Sequence, residues 1–239
     1  MQNSAKHLPT KFDKHGYVFL RKAISSQKLK KLEKKLFLIY SKVLSVNINS
    51  KNFSNIFHNF EKNKRYKTLY SAYKKFIKCN EFKDITILTK KLSRKIYCKK
   101  AKLIKIGVAI GLNNSSRTIY KWHQEKSYYN NITTVHYQFP ILNKCFKNNG
   151  TMSFLAKSHK SGFIKESRNI KKGKSHINSY VPKNISTLKK KHKIKYAQMD
   201  LGDIVMFNVM FNENIIHRSN PNLTNKIRLA GIIRLKCKN

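Results

Sequence analysis

The carboxylate Glu125 lies two residues after His123, in a stretch of the chain that is poor in acidic side chains. It is the one carboxylate between Asp84 and Glu166. On an extended backbone, residues i and i+2 point to the same face of a strand. His123 and Glu125 can therefore bind one metal ion together, although a His-x-Glu pair is weak evidence in a chain with nine histidines.

His217 is the best candidate for a third ligand, because it follows the apolar pair Ile215-Ile216 and precedes Arg218 and Ser219. Two histidines and one carboxylate on one face of an octahedron form the facial triad of non-heme Fe(II) oxygenases. The triad leaves three coordination positions for a cosubstrate and dioxygen. The sequence therefore predicts His123, Glu125 and His217 as ligands of Fe(II).

Arg228 begins the apolar run Leu229–Ile233, which predicts a guanidinium held inside a β structure. A buried guanidinium requires an anionic partner. Its planar fork matches a carboxylate, to which it can donate two parallel hydrogen bonds. The distal carboxylate of 2-oxoglutarate would be that partner, with the Ser219 hydroxyl assisting.

The first hundred residues carry mainly helical patterns. A turn at Gly16 precedes a short strand, and Ser25 or Ser26 is a candidate cap for a helix. Leu29, Leu32, Leu36, Tyr40 and Val43 recur at three- and four-residue spacing, which places them on one helical face. Two further helices are predicted at about 66–77 and 81–97. Residues 47–64 are rich in Asn and Ser and predict a loop.

After Lys100 the pattern changes to short β-branched runs separated by turn residues. Strands are predicted at 103–112, 132–139, 151–155, 204–209 and 227–235, which is typical of a sandwich or barrel. The absence of regular strand–helix alternation disfavours a doubly wound sheet. The Lys-rich segment 165–195 predicts a long loop, and it remains open whether this is a lid over a binding site or a solvated insertion.

The composition excludes several classes of protein. No apolar run approaches the roughly 18–20 residues that span a bilayer, and the N-terminus lacks the apolar core of a secretory signal. Four scattered cysteines without a CxxC spacing disfavour a zinc knuckle and suit a reducing compartment, so we expect a cytoplasmic protein. The net charge of +42 favours anionic partners, although the abundance of Lys, Asn and Ile is equally typical of an A/T-rich genome.

Four stretches, in the same order along the chain, resemble the phytanoyl-CoA dioxygenase family of Fe(II)/2-oxoglutarate oxygenases. The stretches are Phe12–Ile24, Trp122–Glu125, Asn149–Lys160 and Leu201–Arg228. The second contains Trp-His-Gln-Glu, and the third contains Asn-Gly…Ser-His-Lys. The fourth contains Leu-Gly-Asp followed by His217, Ser219, Pro221 and Arg228. Any one of them alone is unspecific, whereas the set is specific.

The resemblance implies a mainly β (α+β) protein with N-terminal helices around a double-stranded β-helix, a jelly-roll or cupin-like barrel. It implies one domain over 1–239, with the strand and packing helices at about 1–100 and the β-helix core at about 101–239. It also implies iron bound by the predicted triad, and 2-oxoglutarate contacted by Arg228 and Ser219. Gln124 and Phe139 (or Gln138, one residue earlier) match further cosubstrate positions, and ascorbate is a possible additional cofactor.

The sequence departs from the family at two positions: Glu125 replaces the commoner Asp, and Lys157 replaces a Gly before Ser158-His159. Related halogenases have a small residue in place of the carboxylate, so Glu125 favours hydroxylation of an unactivated C–H bond. The expected substrate is small and anionic. Two alternatives remain: a non-catalytic polyanion or nucleic-acid binder on this scaffold, and an oxygenase acting on nucleic acid with Tyr128-Tyr129 as stacking residues. The oligomeric state is left open.

Overall fold

The computed structural model describes residues 12, 14–96, 100–113, 115, 119–125, 134–168, 180–207 and 214–238. Its strands are Tyr17–Leu20 (β1), Lys100–Gly111 (β2), Thr134–Leu142 (β3), Met152–Leu155 (β4), Glu166–Arg168 (β5), Tyr180–Pro182 (β6), Ile194–Tyr196 (β7), Ile204–Phe207 (β8), His217–Ser219 (β9) and Arg228–Lys238 (β10). Its helices are Ser26–Leu44 (α1), Phe53–Lys62 (α2), Tyr66–Phe76 (α3), Asn80–Ile96 (α4) and Ile185–Lys191 (α5), with a 3-10 turn at Ser158–Ser161.

Helix α1 begins and ends as its sequence predicts. The Ser25 hydroxyl accepts a hydrogen bond from the Lys28 backbone N–H at 3.4 Å, which caps the first turn. At the other end, Ser45 adopts a left-handed conformation with φ of 55°. The predicted apolar face is buried, except that Val43 is only partly so.

Helix α2 corrects the prediction of a loop at 47–64. Phe53, Phe57 and Phe60 are spaced by four and three residues and are buried on one face. The rings of Phe53 and Phe57 lie 5.5 and 6.2 Å from that of Tyr40 on α1. Burial of three aromatic rings outweighs the low helix propensity of the intervening Asn and Ser residues.

The strands form antiparallel sheets. A five-stranded sheet has the order β1-β8-β3-β10-β2, and a three-stranded sheet has the order β7-β4-β9. Strands β5 and β6 pair separately. Phe154 on β4 stacks on Tyr17 of β1 at 4.5 Å and meets Phe207 of β8 at 5.6 Å, so an apolar layer joins the two larger sheets. The predicted combination of N-terminal helices and a cupin-like β fold is confirmed.

The five-stranded sheet has two chemically different faces. On β3, Val135, Tyr137 and Phe139 pack in the main core with the helices. The Tyr137 hydroxyl hydrogen-bonds Ser93 of α4 at 2.7 Å. His136 alternates with these residues, and its ring lies 5.3 Å from that of Phe207 on β8. Because successive side chains of a strand point to opposite faces, one face packs on helices and the other is available for chemistry.

The segment 165–195 contains more regular structure than predicted. In its described part, β5 pairs with β6, α5 follows, and β7 joins the three-stranded sheet through β4. Residues 169–179 lie outside the described residues, as do the lysines at 171, 172 and 174 that made this segment a candidate lid. No helix within the described ranges has the length and apolar character needed to cross a membrane.

Candidate metal and cosubstrate site

Three potential metal ligands converge at one end of the space between the sheets. One ligand atom each of His123, Glu125 and His217 lies within 4.8 Å of the others. Oε1 of Glu125 is 3.8 Å from Nε2 of His123 and 3.4 Å from Nε2 of His217. The backbones of the two histidines exchange hydrogen bonds of 2.9 and 3.1 Å, which fixes the separation of their rings.

The hydrogen bonds of the two histidines determine which ring nitrogen is available to a metal. Nδ1 of His123 lies 2.6 Å from the Lys121 carbonyl oxygen, and Nδ1 of His217 lies 3.1 Å from that of Ile215. A carbonyl oxygen only accepts, so each Nδ1 carries the proton and each Nε2 presents its lone pair to Glu125. Burial, followed by the proximity of His123, lowers the pKa of His217, which favours the neutral ring that binds metal.

Glu125 is held as a carboxylate by its neighbours. Nη2 of Arg234 donates a hydrogen bond to its Oε1 at 3.3 Å. Burial by itself would raise the pKa of Glu125, but the Arg234 guanidinium outweighs it and holds the pKa well below its usual value. The site therefore offers a charged oxygen ligand together with two imidazole nitrogens.

His136 supports the same carboxylate without joining the triad. Its Nδ1 accepts a hydrogen bond from Nε of Arg234 at 3.2 Å, so the proton is on Nε2, which meets the Thr134 hydroxyl at 3.1 Å. Nδ1 also lies 3.6 Å from Oε1 of Glu125. Burial lowers the pKa of His136 to about 3, against the opposing effect of Glu125, so the ring is neutral at pH 7.

Arg228 is buried with unsatisfied donors. Only 3% of the residue is exposed, and its Nε and Nη1 have no hydrogen-bond partner within the described ranges. In the sheet it lies opposite Gly111 of β2, where a Cβ atom would come within 3.2 Å of Nε. A bidentate carboxylate would satisfy these donors, so the arrangement fits the distal end of 2-oxoglutarate.

One cavity of about 280 Å³ connects this guanidinium with the triad. Ser219 lines the cavity, as expected, and its backbone N–H is bonded to the Tyr120 carbonyl at 3.0 Å. Gln138 also lines it, and Oε1 of this amide has no hydrogen-bond partner in the described part of the chain. The cavity thus brings together His123, Glu125, His217, Ser219 and Arg228.

Two predicted cosubstrate residues are placed elsewhere. The Gln124 amide donates to the carbonyls of Gly162 and Asn214 and accepts from the Ile164 N–H, so it ties loops together and does not line the cavity. Phe139 points to the helical core, where its ring contacts Phe82 at 5.8 Å. The choice of Phe139 over Gln138 is corrected: the strand alternation directs Gln138 into the cavity.

Some functional residues carried a signal in the sequence and others did not. Arg234 follows Arg228 by six residues on one strand, an even spacing that predicts the same face, and both line the cavity. His136 carries no such signal, because its contact with Glu125 depends on the pairing of distant strands. Tyr73 of α3 also lines the cavity, and nothing in the helical pattern distinguishes it from its neighbours.

The Ser158-His159 pair has a structural role. The Ser158 hydroxyl accepts a hydrogen bond from the Ile216 N–H at 2.9 Å, which fixes the backbone immediately before His217. Lys157 adopts a φ of 66°, in the left-handed region that glycine tolerates best. The departure from the family glycine therefore places a strained residue at this turn.

Several solved structures are similar to this chain in fold. The carbocyclase SnoK of nogalamycin biosynthesis superposes with a TM-score of 0.64 at 11% identity, covering 99% of this chain and 85% of SnoK. The epimerase SnoN, solved with Fe3+, alpha ketoglutarate and nogalamycin RO, gives 0.63 at 10% identity and the same coverages. EctD from S. alaskensis, solved with 2-oxoglutarate and 5-hydroxyectoine, gives 0.58 at 13% identity, covering 99% of this chain and 75% of EctD.

The fold is the cupin-like fold of Fe- and 2-oxoglutarate-dependent proteins, and the site offers a His-Glu-His set that could hold the metal. The chain belongs to the phytanoyl-CoA dioxygenase family, whose model matches residues 12–230. No curated protein sequence matches the chain significantly. The resemblance read from the four sequence stretches is thereby confirmed.

Proposed function

We propose that this protein hydroxylates an unactivated C–H bond of a small anionic substrate, using Fe(II) and 2-oxoglutarate. One observation carries the proposal: one cavity joins the His-Glu-His triad to a buried arginine whose Nε and Nη1 have no hydrogen-bond partner among the described residues. The metal triad fits the keto-acid end of 2-oxoglutarate, and Arg228 fits its distal carboxylate. A structural ion site would need the triad but not the arginine.

Each residue has a defined task in this proposal. His123, Glu125 and His217 hold the metal, Arg228 and Ser219 bind the distal carboxylate, and Arg234 keeps Glu125 ionised. When bound, Fe(II) with 2-oxoglutarate and dioxygen supplies the oxidising power, and succinate and carbon dioxide are the coproducts. The burial of Glu125 and both histidines excludes bulk water from the reacting end of the cavity.

Hydroxylation is proposed over halogenation because of Glu125. Its carboxylate occupies the ligand position that a halide would need. SnoN and SnoK are described as an epimerase and a carbocyclase, so relatives in fold direct the same cofactors to other products. The mass of the product distinguishes these reactions: hydroxylation adds one oxygen atom, and epimerisation leaves the mass unchanged.

The test is succinate release from 2-oxoglutarate by the Fe(II)-reconstituted protein, with and without a panel of anionic metabolites. We expect turnover in the wild type, stimulation by the true substrate, and an addition of one oxygen atom to that substrate. The variant His217→Ala should lose at least about 100-fold in turnover because a metal ligand is gone. The control His58→Ala, a substitution on α2, should turn over normally, whereas turnover that survives His217→Ala would contradict the proposal.

A further inference from the structure

Two cations face each other across the wall of the cavity. Lys105 of β2 pairs with Arg234 of β10 in the antiparallel register, and both side chains line the cavity. Like charges directly opposite each other destabilise an antiparallel pair. Inside a concave wall this repulsion is screened less than at a flat surface. An anion bound between them would convert the repulsion into attraction.

The same two strands provide an internal comparison. Lys102 and Lys236 are also opposite each other on β2 and β10, but neither of them lines the cavity. Water and salt screen such a pair, so its presence fits the general excess of lysine in the chain. The Lys105–Arg234 pair differs in lying where a ligand binds, and composition alone does not account for that position.

The charges around the cavity are unbalanced. Glu125 is the sole carboxylate among the described residues that line it, against the cations Lys105, Arg218, Arg228 and Arg234. Fe(II) and a doubly charged 2-oxoglutarate cancel each other's charge. The lining therefore keeps a positive excess after both have bound, and this excess favours the binding of a further anion.

Tyr73 of α3 adds a hydrogen-bond donor at the same wall. Its hydroxyl lies beside Gly107 of β2, 3.6 Å from the position that a Cβ atom would occupy there. Burial raises the pKa of Tyr73, although the Arg234 guanidinium partly opposes this, so the phenol stays protonated and can donate. Two cations and one hydroxyl donor form a set that suits the oxygens of a carboxylate or phosphate.

The geometry points to an anion subsite formed by Lys105, Arg234 and Tyr73, which binds a carboxylate or phosphate group of the substrate. This inference rests on the proposed function and specifies how its substrate is recognised. The keto-acid end of 2-oxoglutarate is the other possible source of a carboxylate here, so the experiment has to separate the two.

The probe is inorganic sulfate, added at constant ionic strength to the anaerobic complex of the protein with Fe(II) and 2-oxoglutarate. The readout is the visible metal-to-ligand absorption band. In the wild type we expect a saturable change of the band. In Lys105→Met the half-saturating sulfate concentration should rise about tenfold, because one charge-assisted contact is lost. Lys105→Arg should restore most of the affinity.

The matched control is Lys102→Met, which removes the same charge from the same strand outside the cavity. It should leave sulfate affinity unchanged, and equal weakening in both Met variants would overturn the inference. A rise in the half-saturating concentration of 2-oxoglutarate in Lys105→Met would assign Lys105 to the cosubstrate and also overturn it. An intact band that sulfate does not affect would overturn the inference alone. A wild type without the band would contradict the proposed function itself.

Discussion

The two faces of the five-stranded sheet carry different kinds of side chain. The face toward the helices is filled by apolar side chains such as Tyr137, Phe139 and Ile233, whose shapes must fit. The face toward the cavity carries His136 and Arg228, both buried. Because the faces alternate along the same strands, neighbouring residues on β3 and β10 serve stability and chemistry separately.

The contrast is sharpest on β10. Arg228 keeps unsatisfied donors inside the protein, whereas Gly231, three residues later, lets the Phe139 ring lie against the backbone. Arg228 lowers the stability of the fold but is available to bind a ligand. Gly231 has no side chain, which allows the Phe139 ring to pack closely. Substitutions on the two faces should therefore change different measured quantities.

The largest effect is expected on the cavity face. Arg228→Met should weaken 2-oxoglutarate binding by about 100-fold, since a bidentate charge-assisted contact is lost. The free energy of unfolding of the ligand-free chain should stay equal or rise, because a buried guanidinium without a carboxylate partner has been removed. Titration of the visible band and urea unfolding measure the two quantities. Arg94→Met, exposed on α4, is the control, and a loss of stability without a loss of affinity would contradict this assignment.

The next effect is expected on the helical face. In Gly231→Ala the new Cβ would lie 2.2 Å from the Phe139 ring. Relief of that clash should cost about 1–3 kcal/mol of the free energy of unfolding, measured by urea denaturation, while the folded fraction binds 2-oxoglutarate normally. Gly107→Ala is the matched change on β2, where the nearest atom would be 3.6 Å away and the cost should be smaller. Equal costs in both variants would refute the packing argument.

A third effect links the cavity face to pH. His136 is neutral when folded because burial lowers its pKa to about 3, against an ordinary value of 6.5. Its contribution to stability is complete above pH 6.5 and is lost as the pH falls, since only the unfolded chain takes up the proton. Between about pH 7.5 and about pH 5.5 this proton uptake should lower the free energy of unfolding by about 1.4 kcal/mol.

The free energy of unfolding of the metal-free wild type should fall by at least this amount over the same pH range, since the lowered pKa of His217 acts in the same direction. His136→Asn should lose correspondingly less. Urea unfolding at the two pH values measures the difference. An unchanged pH dependence in the variant would show that His136 titrates normally in the folded protein.

The smallest effect is expected at the turn before the Ser158 hydroxyl. Lys157→Gly should raise the free energy of unfolding by about 0.5–1 kcal/mol, because relief of the left-handed strain exceeds the entropy that glycine loses on folding. Lys160→Gly, in the 3-10 turn, should not stabilise the protein. Thermal unfolding of the pair measures this, and a destabilised Lys157→Gly would mean that the turn needs the lysine side chain.

The sequence predicts the site better than it predicts the surroundings of the site. An extended backbone predicts the pairing of His123 with Glu125, although in the structure His123 forms only an isolated bridge to His217 and Glu125 lies outside the strands. Arg228 follows from a charge within an apolar run. The register of this stretch leaves Phe139 and Gln138 as alternatives in the sequence, and burial does not separate them either, since every residue of β3 is buried. The contacts of Arg234 and Tyr73 arise from packing between elements far apart in the chain, which local patterns do not encode.

Contacts between distant elements also explain where the sequence predicts the fold wrongly. Helix α2 depends on a stripe of three phenylalanines that meets α1, and the Asn-rich composition conceals it. The described strands and helix within 165–195 are short, and β7 is held by pairing with the distant β4. Elements that are stabilised mainly by their neighbours are the ones that a single sequence predicts least well.

The most direct test of the central claim is an anaerobic titration of the protein with Fe(II) and 2-oxoglutarate, followed by the visible metal-to-ligand band. The account predicts a band that saturates at one iron per chain and is abolished in His217→Ala, while His58→Ala retains it. A wild type that binds neither iron nor 2-oxoglutarate would contradict the account and would favour the alternative of a basic, non-catalytic polyanion binder.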